Sequence, residues 1–231
     1  MRQTFLDLLY KQLAILLNKN NGYSYLNAQF PNALPKKGIY FFFENGIFRT
    51  NSTQLKVMRI GTHSTSKENG TTLRSRLNQH KGNLGNGGGN HRGSVFRLHV
   101  GNAHINDLGL HAAFPHWGLG NNAPAAIRAA ELPHEITTSN TIRNYPYTFL
   151  SVPTFENRSF VETCSIELLS NSNVQIPIDA PLNNWLGFFS PNPAIVNSHL
   201  WNVQHINNYQ AGNNERYETF INILTTLVDQ H

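Results

Sequence analysis

The fold turns on two short strings, Gly38-Ile39-Tyr40-Phe41-Phe42-Phe43 and Gln54-Leu55-Lys56-Val57-Met58-Arg59-Ile60-Gly61. The first is almost wholly apolar and rich in strand formers, as a buried strand should be. Glu44-Asn45-Gly46 is a turn signal, and Ile47 to Arg49 runs back, so the two strings read as an antiparallel hairpin. Tyr147 to Val152 supplies a third strand. Helical patterns surround them: Leu73 to His80, capped by Thr71 or Thr72, then Ser94 to Ile105, Ala125 to Leu132, Asn157 to Leu169 and Glu215 to Val228. Lys81 to Asn90, Gly109 to Pro124 and Pro177 to Pro193 carry too much Gly, Pro or Asn for regular structure. The first residues place apolar side chains at 5, 6, 9, 13 and 16, an amphipathic helix over 4–18. This order lacks the alternating rhythm of a doubly wound sheet. It predicts an α+β fold, with a small antiparallel sheet of about three strands flanked by helices. One domain over 1–231 is expected, with a core at about 36–185 and a C-terminal helical extension over 195–230.

Composition narrows the function classes. The chain has 231 residues, 39% hydrophobic and 13% charged, enough apolar content for one real core. Its single cysteine, Cys164, excludes an internal disulfide and a cysteine-cluster zinc site. Leu13 to Leu17 is far too short to span a bilayer, so no membrane partner and a cytoplasmic location are expected. The net charge of +5 is unevenly spread. From Lys36 to Arg97 there are 11 Lys and Arg against two acids, while the rest of the chain is net acidic. A basic segment on an otherwise acidic protein points to a polyanion, and predicts one positive surface.

No HExxH, CxxC, GxSxG or Walker loop is present. Gly87-Gly88-Gly89 precedes a helix and reads either as a nest of backbone N–H groups for a phosphate or as a plain loop. His111, His116 and His134 lack ligand spacing, and Trp117, Trp185 and Trp201 read as loop anchors.

The basic stretch holds a more specific series: Gly38-Ile39-Tyr40, Arg59-Ile60-Gly61, Arg76-Leu77-Asn78-Gln79-His80, and much later Glu162 on the helix after the third strand. This series resembles the GIY-YIG nuclease superfamily. The likeness covers about 38–185, with a large helical and loop insertion between His80 and Tyr147. The string MRIGTH…TLRSRLNQHKG…GGGNHRGSVFRLHVG is similar to a poorly characterised bacterial branch, a likeness that extends through NWLG and HLWNVQH.

The resemblance implies a metal-dependent endonuclease acting on DNA, with RNA left open. Tyr40 matches the first-motif tyrosine, Arg76 the helical arginine and His80 its partner one turn on. Glu162 matches the glutamate that holds one Mg²⁺ or Mn²⁺. Arg59 stands where the second-motif tyrosine belongs, and His63 is a candidate to replace that phenol. Asn183 or Asn184 matches a late asparagine, and His91 a histidine that some members carry beyond the arginine helix. With Arg74, Lys81, Arg92 and Arg97 of the basic segment, these are the expected nucleic-acid contacts.

Each role has a physical basis beside a plainer alternative. Phosphodiester hydrolysis needs a nucleophilic water, neutralised phosphate charge and a stabilised leaving oxygen. Arginine offers fork geometry for phosphate oxygens, and a carboxylate holds a hard cation. A phenol is a poor base at neutral pH unless cations favour its ionised form, and Arg59 or Arg76 would do so. The alternatives are a Glu162–Arg158 pair one helical turn apart, exposed helix charges at Arg76 and His80, and a packed strand tyrosine at Tyr40.

Overall fold

A computed structural model describes residues 1–63 and 70–231. Residues 64–69, Lys67 of the basic segment among them, lie outside the described residues. The described residues form three strands, β1 (Gly38–Phe48), β2 (Leu55–Thr62) and β3 (Tyr147–Ser151), and seven α-helices. These are α1 (Arg2–Lys19), α2 (Leu73–Lys81), α3 (Val95–Leu108), α4 (Ala125–Arg143), α5 (Phe155–Leu169), α6 (Pro193–Ser198) and α7 (Asn214–Asp229). The strands form one antiparallel sheet in the order β2-β1-β3, the α+β architecture that the sequence predicts. No helix among the described residues is long and apolar enough to cross a membrane.

Strand alternation sorts the core into two layers. Ile39, Phe41 and Phe43 face α1, α5 and α7 with Leu9, Leu13, Val161, Leu168 and Phe220. Tyr40 and Phe42 face the other way, against Leu73 and Leu77 of α2, Phe96 and Val100 of α3, Ile142 of α4, Trp185 and Trp201.

Two expectations need correction. Asn45-Gly46 is not the hairpin turn: β1 continues to Phe48, and Gly46, at φ +81°, sits in a bulge between the pairs Phe43–Val57 and Phe48–Leu55. The chain reverses over residues 49–54 instead. The helix expected to stop at Leu132 runs on through Pro133 to Arg143, because Glu135, Thr138, Ser139 and Ile142 are buried and packing outweighs the proline.

Both open edges of the sheet are covered by the chain itself. Ser24 exchanges backbone hydrogen bonds with Tyr147 on the β3 side, at 2.8 and 2.9 Å. On the β2 side the Trp201 N–H donates to Met58 O at 2.8 Å. Asn202 accepts from Ile60 N–H at 3.0 Å and donates to Ile60 O at 2.8 Å. The Tyr10 hydroxyl accepts from Val57 N–H at 2.9 Å.

Candidate active site

The cleft lies at the β2 edge of the sheet, where the layer that holds Tyr40 meets α5 from the other layer. It holds about 560 Å³ and is lined by Tyr40, Arg59, Gly61, Arg76, Glu162 and Asn202, among others. β1 brings Tyr40, β2 brings Arg59 and Gly61, α2 brings Arg76 and α5 brings Glu162. Phe155, Ser159, Glu162 and Ile166 all line it, at the spacing of one helix face. Tyr40, Arg76 and Glu162 thus meet although 122 residues of sequence separate the first from the last.

Tyr40 pairs with Gly61 across the sheet. The phenol lies over that glycine so closely that a Cβ there would come within 2.1 Å of Tyr40 Oη. This explains why a glycine closes the Arg-Ile-Gly string. The phenol oxygen lies 2.8 Å from His80 Nε2, and His80 Nδ1 lies 2.8 Å from Ser94 Oγ. Ser94 in turn caps α3 by accepting the Arg97 N–H. His80 is fully buried, and that burial, with Arg76, Arg59 and Arg97 nearby, holds its pKa well below the usual imidazole value. It stays neutral and fixes the phenol from behind.

Arg76 is half-buried and donates to Gln79 Oε1 at 2.8 Å. Arg59 is buried, donates to Trp201 O at 2.7 Å and stacks 4.7 Å over the Phe96 ring. Its Nε has no hydrogen-bond partner among the described residues. Glu162 is half-buried and accepts the Thr62 backbone N–H at the open end of β2. Burial pushes its carboxyl up to about 7, against the pull of Arg59, Arg76 and that N–H. No Arg158 pair forms with it, since Arg158 donates instead to Val152 O and Pro153 O.

Other sequence candidates fall elsewhere. His63 is buried beside Lys37, Gly38 and Arg158 and does not line the cleft. Asn183 and Asn184 are exposed in the turn before Trp185, also outside the lining. Asn202, in the His199-to-His205 string, is the late asparagine that reaches the cleft, with Gln204 and His205. That string carried the signal, through its likeness to the bacterial branch, but nothing in its spacing marked Asn202. Ser94 carried only the signature of a helix cap.

The expected nucleic-acid contacts divide sharply. Arg97 is 0% exposed and pairs with Glu135 at 2.5 Å, while also donating to His80 O and Ser139 Oγ. His91 is buried, 2.8 Å from Glu135 and stacked on Trp117. Arg92 grips both Glu131 oxygens, at 2.6 and 2.8 Å. Lys81 is buried over the Phe30 ring. Arg74 alone of the expected basic contacts is exposed, and it leans on the same ring. In the glycine-rich loop the Arg97 guanidinium would meet a Cβ at Gly89 within 2.2 Å, while Gly88 lies against Leu132 and Gly87 against Ile136, so side chains rather than a phosphate occupy the loop. Lys56 is buried and Arg49 is tied to Asp7 and Asp179. The broad positive surface therefore shrinks to a rim. Lys36 and Lys37 are exposed at the start of β1, with Lys36 O accepting Leu73 N–H, beside Arg74 and Arg76 on α2.

The cleft suits one hard divalent cation that keeps most of its water. It offers a single carboxylate with neutral oxygens and the Arg59 and Arg76 guanidiniums around it, and no cluster of three or more His, Cys, Asp or Glu exists among the described residues. A family model described as a GIY-YIG domain matches residues 1–231. No curated protein and no solved structure matches the chain.

Proposed function

Given that the chain belongs to the GIY-YIG domain family, within the GIY-YIG nuclease superfamily, we propose that it is a divalent-metal-dependent endonuclease that hydrolyses phosphodiester bonds in DNA. One observation carries this reading: Tyr40, Arg76 and Glu162 line a single cleft, which a generic α+β domain does not require.

The Glu162 carboxylate is the ligand for Mg²⁺ or Mn²⁺. A bound ion there supplies Lewis-acid stabilisation of the charge that develops on the leaving oxygen. Arg76 neutralises the phosphate oxygens as the pentacovalent state forms. The Tyr40 hydroxyl, held by His80, is assigned to the attacking water. His80 is a positioning residue and not the base, because both ring nitrogens are engaged and its surroundings disfavour a positive charge. Arg59 stands at the sequence position of the second-motif tyrosine and adds positive potential to the cleft. Lys36, Lys37 and Arg74 guide the polyanion to the mouth.

A second reading is a nucleic-acid-binding module without activity. Arg59 favours it, since it removes the second phenol and is partly occupied by Trp201 O. A plasmid-nicking assay with Mg²⁺, Mn²⁺ and EDTA separates the two. Metal-dependent nicking, lost in EDTA, is expected. Binding without cleavage under any divalent metal would establish the inactive module instead.

A further inference from the structure

We propose that a second groove, opening off the cleft, is the subsite for the nucleotide flanking the scissile phosphate, and that it receives sugar and base rather than phosphate. The proposal rests on the nucleic-acid reading of the cleft. The groove holds about 260 Å³ and shares Arg76 and Val95 with the cleft, so a strand whose phosphate meets Arg76 continues directly into it.

Its lining argues for the uncharged part of the nucleotide. A phosphate track needs unpaired cations. Here Arg92 is matched by both oxygens of Glu131 and His91 by Glu135, and His91 Nε2 accepts the Gly118 N–H at 3.1 Å. Past Arg76 the groove is therefore electrically neutral. Val95 is 47% exposed, although it is a large apolar side chain on a helix with a well-packed inner face, and it sits at the junction. Gly93, Gly118 and Gly120 leave bare backbone for a flat ring. Asn121 adds an exposed amide that both donates and accepts, as reading a base edge requires. Apart from Arg76, the lining comes from the insertion between α2 and α4. That segment, absent from the minimal motif series, would set base preference.

Gly93→Phe tests the idea, because a Cβ there meets nothing within 4 Å and the ring would fill the groove. Binding of a labelled single-stranded oligonucleotide is measured in EDTA at several salt concentrations, with the melting temperature as the check on folding. Loss of the base's contact with Val95 and the glycine backbone should weaken affinity by about tenfold, with the slope of log K against log salt unchanged because no phosphate contact is lost. Asn121→Ala should narrow the differences in affinity among the four homopolymers. Unchanged affinity in a folded Gly93→Phe protein overturns the subsite, as does a salt slope that falls along with the affinity. Absence of binding by the wild-type protein would instead overturn the nucleic-acid reading of the cleft.

Discussion

Replacing Glu162 by Gln should stabilise the metal-free protein at pH 8 and abolish its cleavage. The wild-type carboxyl titrates at about 7 instead of 4.5 because folding strips its water. The sign follows from linkage. A group whose folded pKa is raised binds its proton more tightly in the folded state, so stability falls as pH rises from about 4.5 to about 7. At about 1.4 kcal/mol per pKa unit, the ionised form costs at most about 3 kcal/mol, and a half-buried group retains some solvent that reduces this. Glutamine keeps the shape and an oxygen acceptor without the charge. At pH 5, where the wild-type side chain is mostly protonated, the two proteins should melt together. At pH 8 the variant should melt higher by up to about 6–12 °C for a chain of this size. Mg²⁺ should close that gap by stabilising the wild type only. Thermal unfolding at both pH values, with and without Mg²⁺, is the assay. A melting difference that ignores pH would refute the desolvation argument, and equal Mg²⁺ stabilisation of both proteins would refute Glu162 as the ligand.

Other perturbations probe other parts of the site. Arg76→Ala should slow nicking by roughly 10²–10³-fold by withdrawing charge stabilisation, while single-turnover assays show binding only modestly weakened. Gly61→Ala should disable cleavage because its Cβ would collide with Tyr40 Oη; full activity in that variant would deny the phenol its role. Arg97→Met should cost about 3–5 kcal/mol in denaturant unfolding, because it takes away the cation that balances the buried Glu135 carboxylate and leaves only the His91 hydrogen bonds. The salt slope of nucleic-acid binding should not move, and a shallower slope would return Arg97 to the binding surface.

The sheet was legible because its strands are apolar enough to announce themselves. That Tyr40, Arg76 and Glu162 meet in one cleft was legible because strand and helix order places the series around one sheet. The basic residues were misread for a physical reason. Sequence counts charge but not its partners, and Glu131 and Glu135, which pair with Arg92 and Arg97 and hold His91, lie some forty residues downstream on a helix expected to end before Glu135. Stopping that helix at Leu132 removed the carboxylate that explains the buried arginine. Asn202 was hidden differently. Its hydrogen bonds go to Ile60 backbone groups, and a side chain that imitates a strand leaves no periodic trace in sequence. His63 shows the opposite error, since adjacency to the Arg-Ile-Gly string did not bring it into the cleft.

The seal that Trp201 and Asn202 place on the rim of β2 bears on how far this protein can be dismantled. Unprotected strand edges recruit other chains, so trimming everything after residue 185 would bare a sticky border and take away one wall of the cleft in the same cut. Such a fragment should clump rather than behave as a compact portable cutter. An engineer wishing to graft this chemistry onto another protein would have to carry the tail along, whereas appended partners are best tolerated on exposed surfaces away from that border.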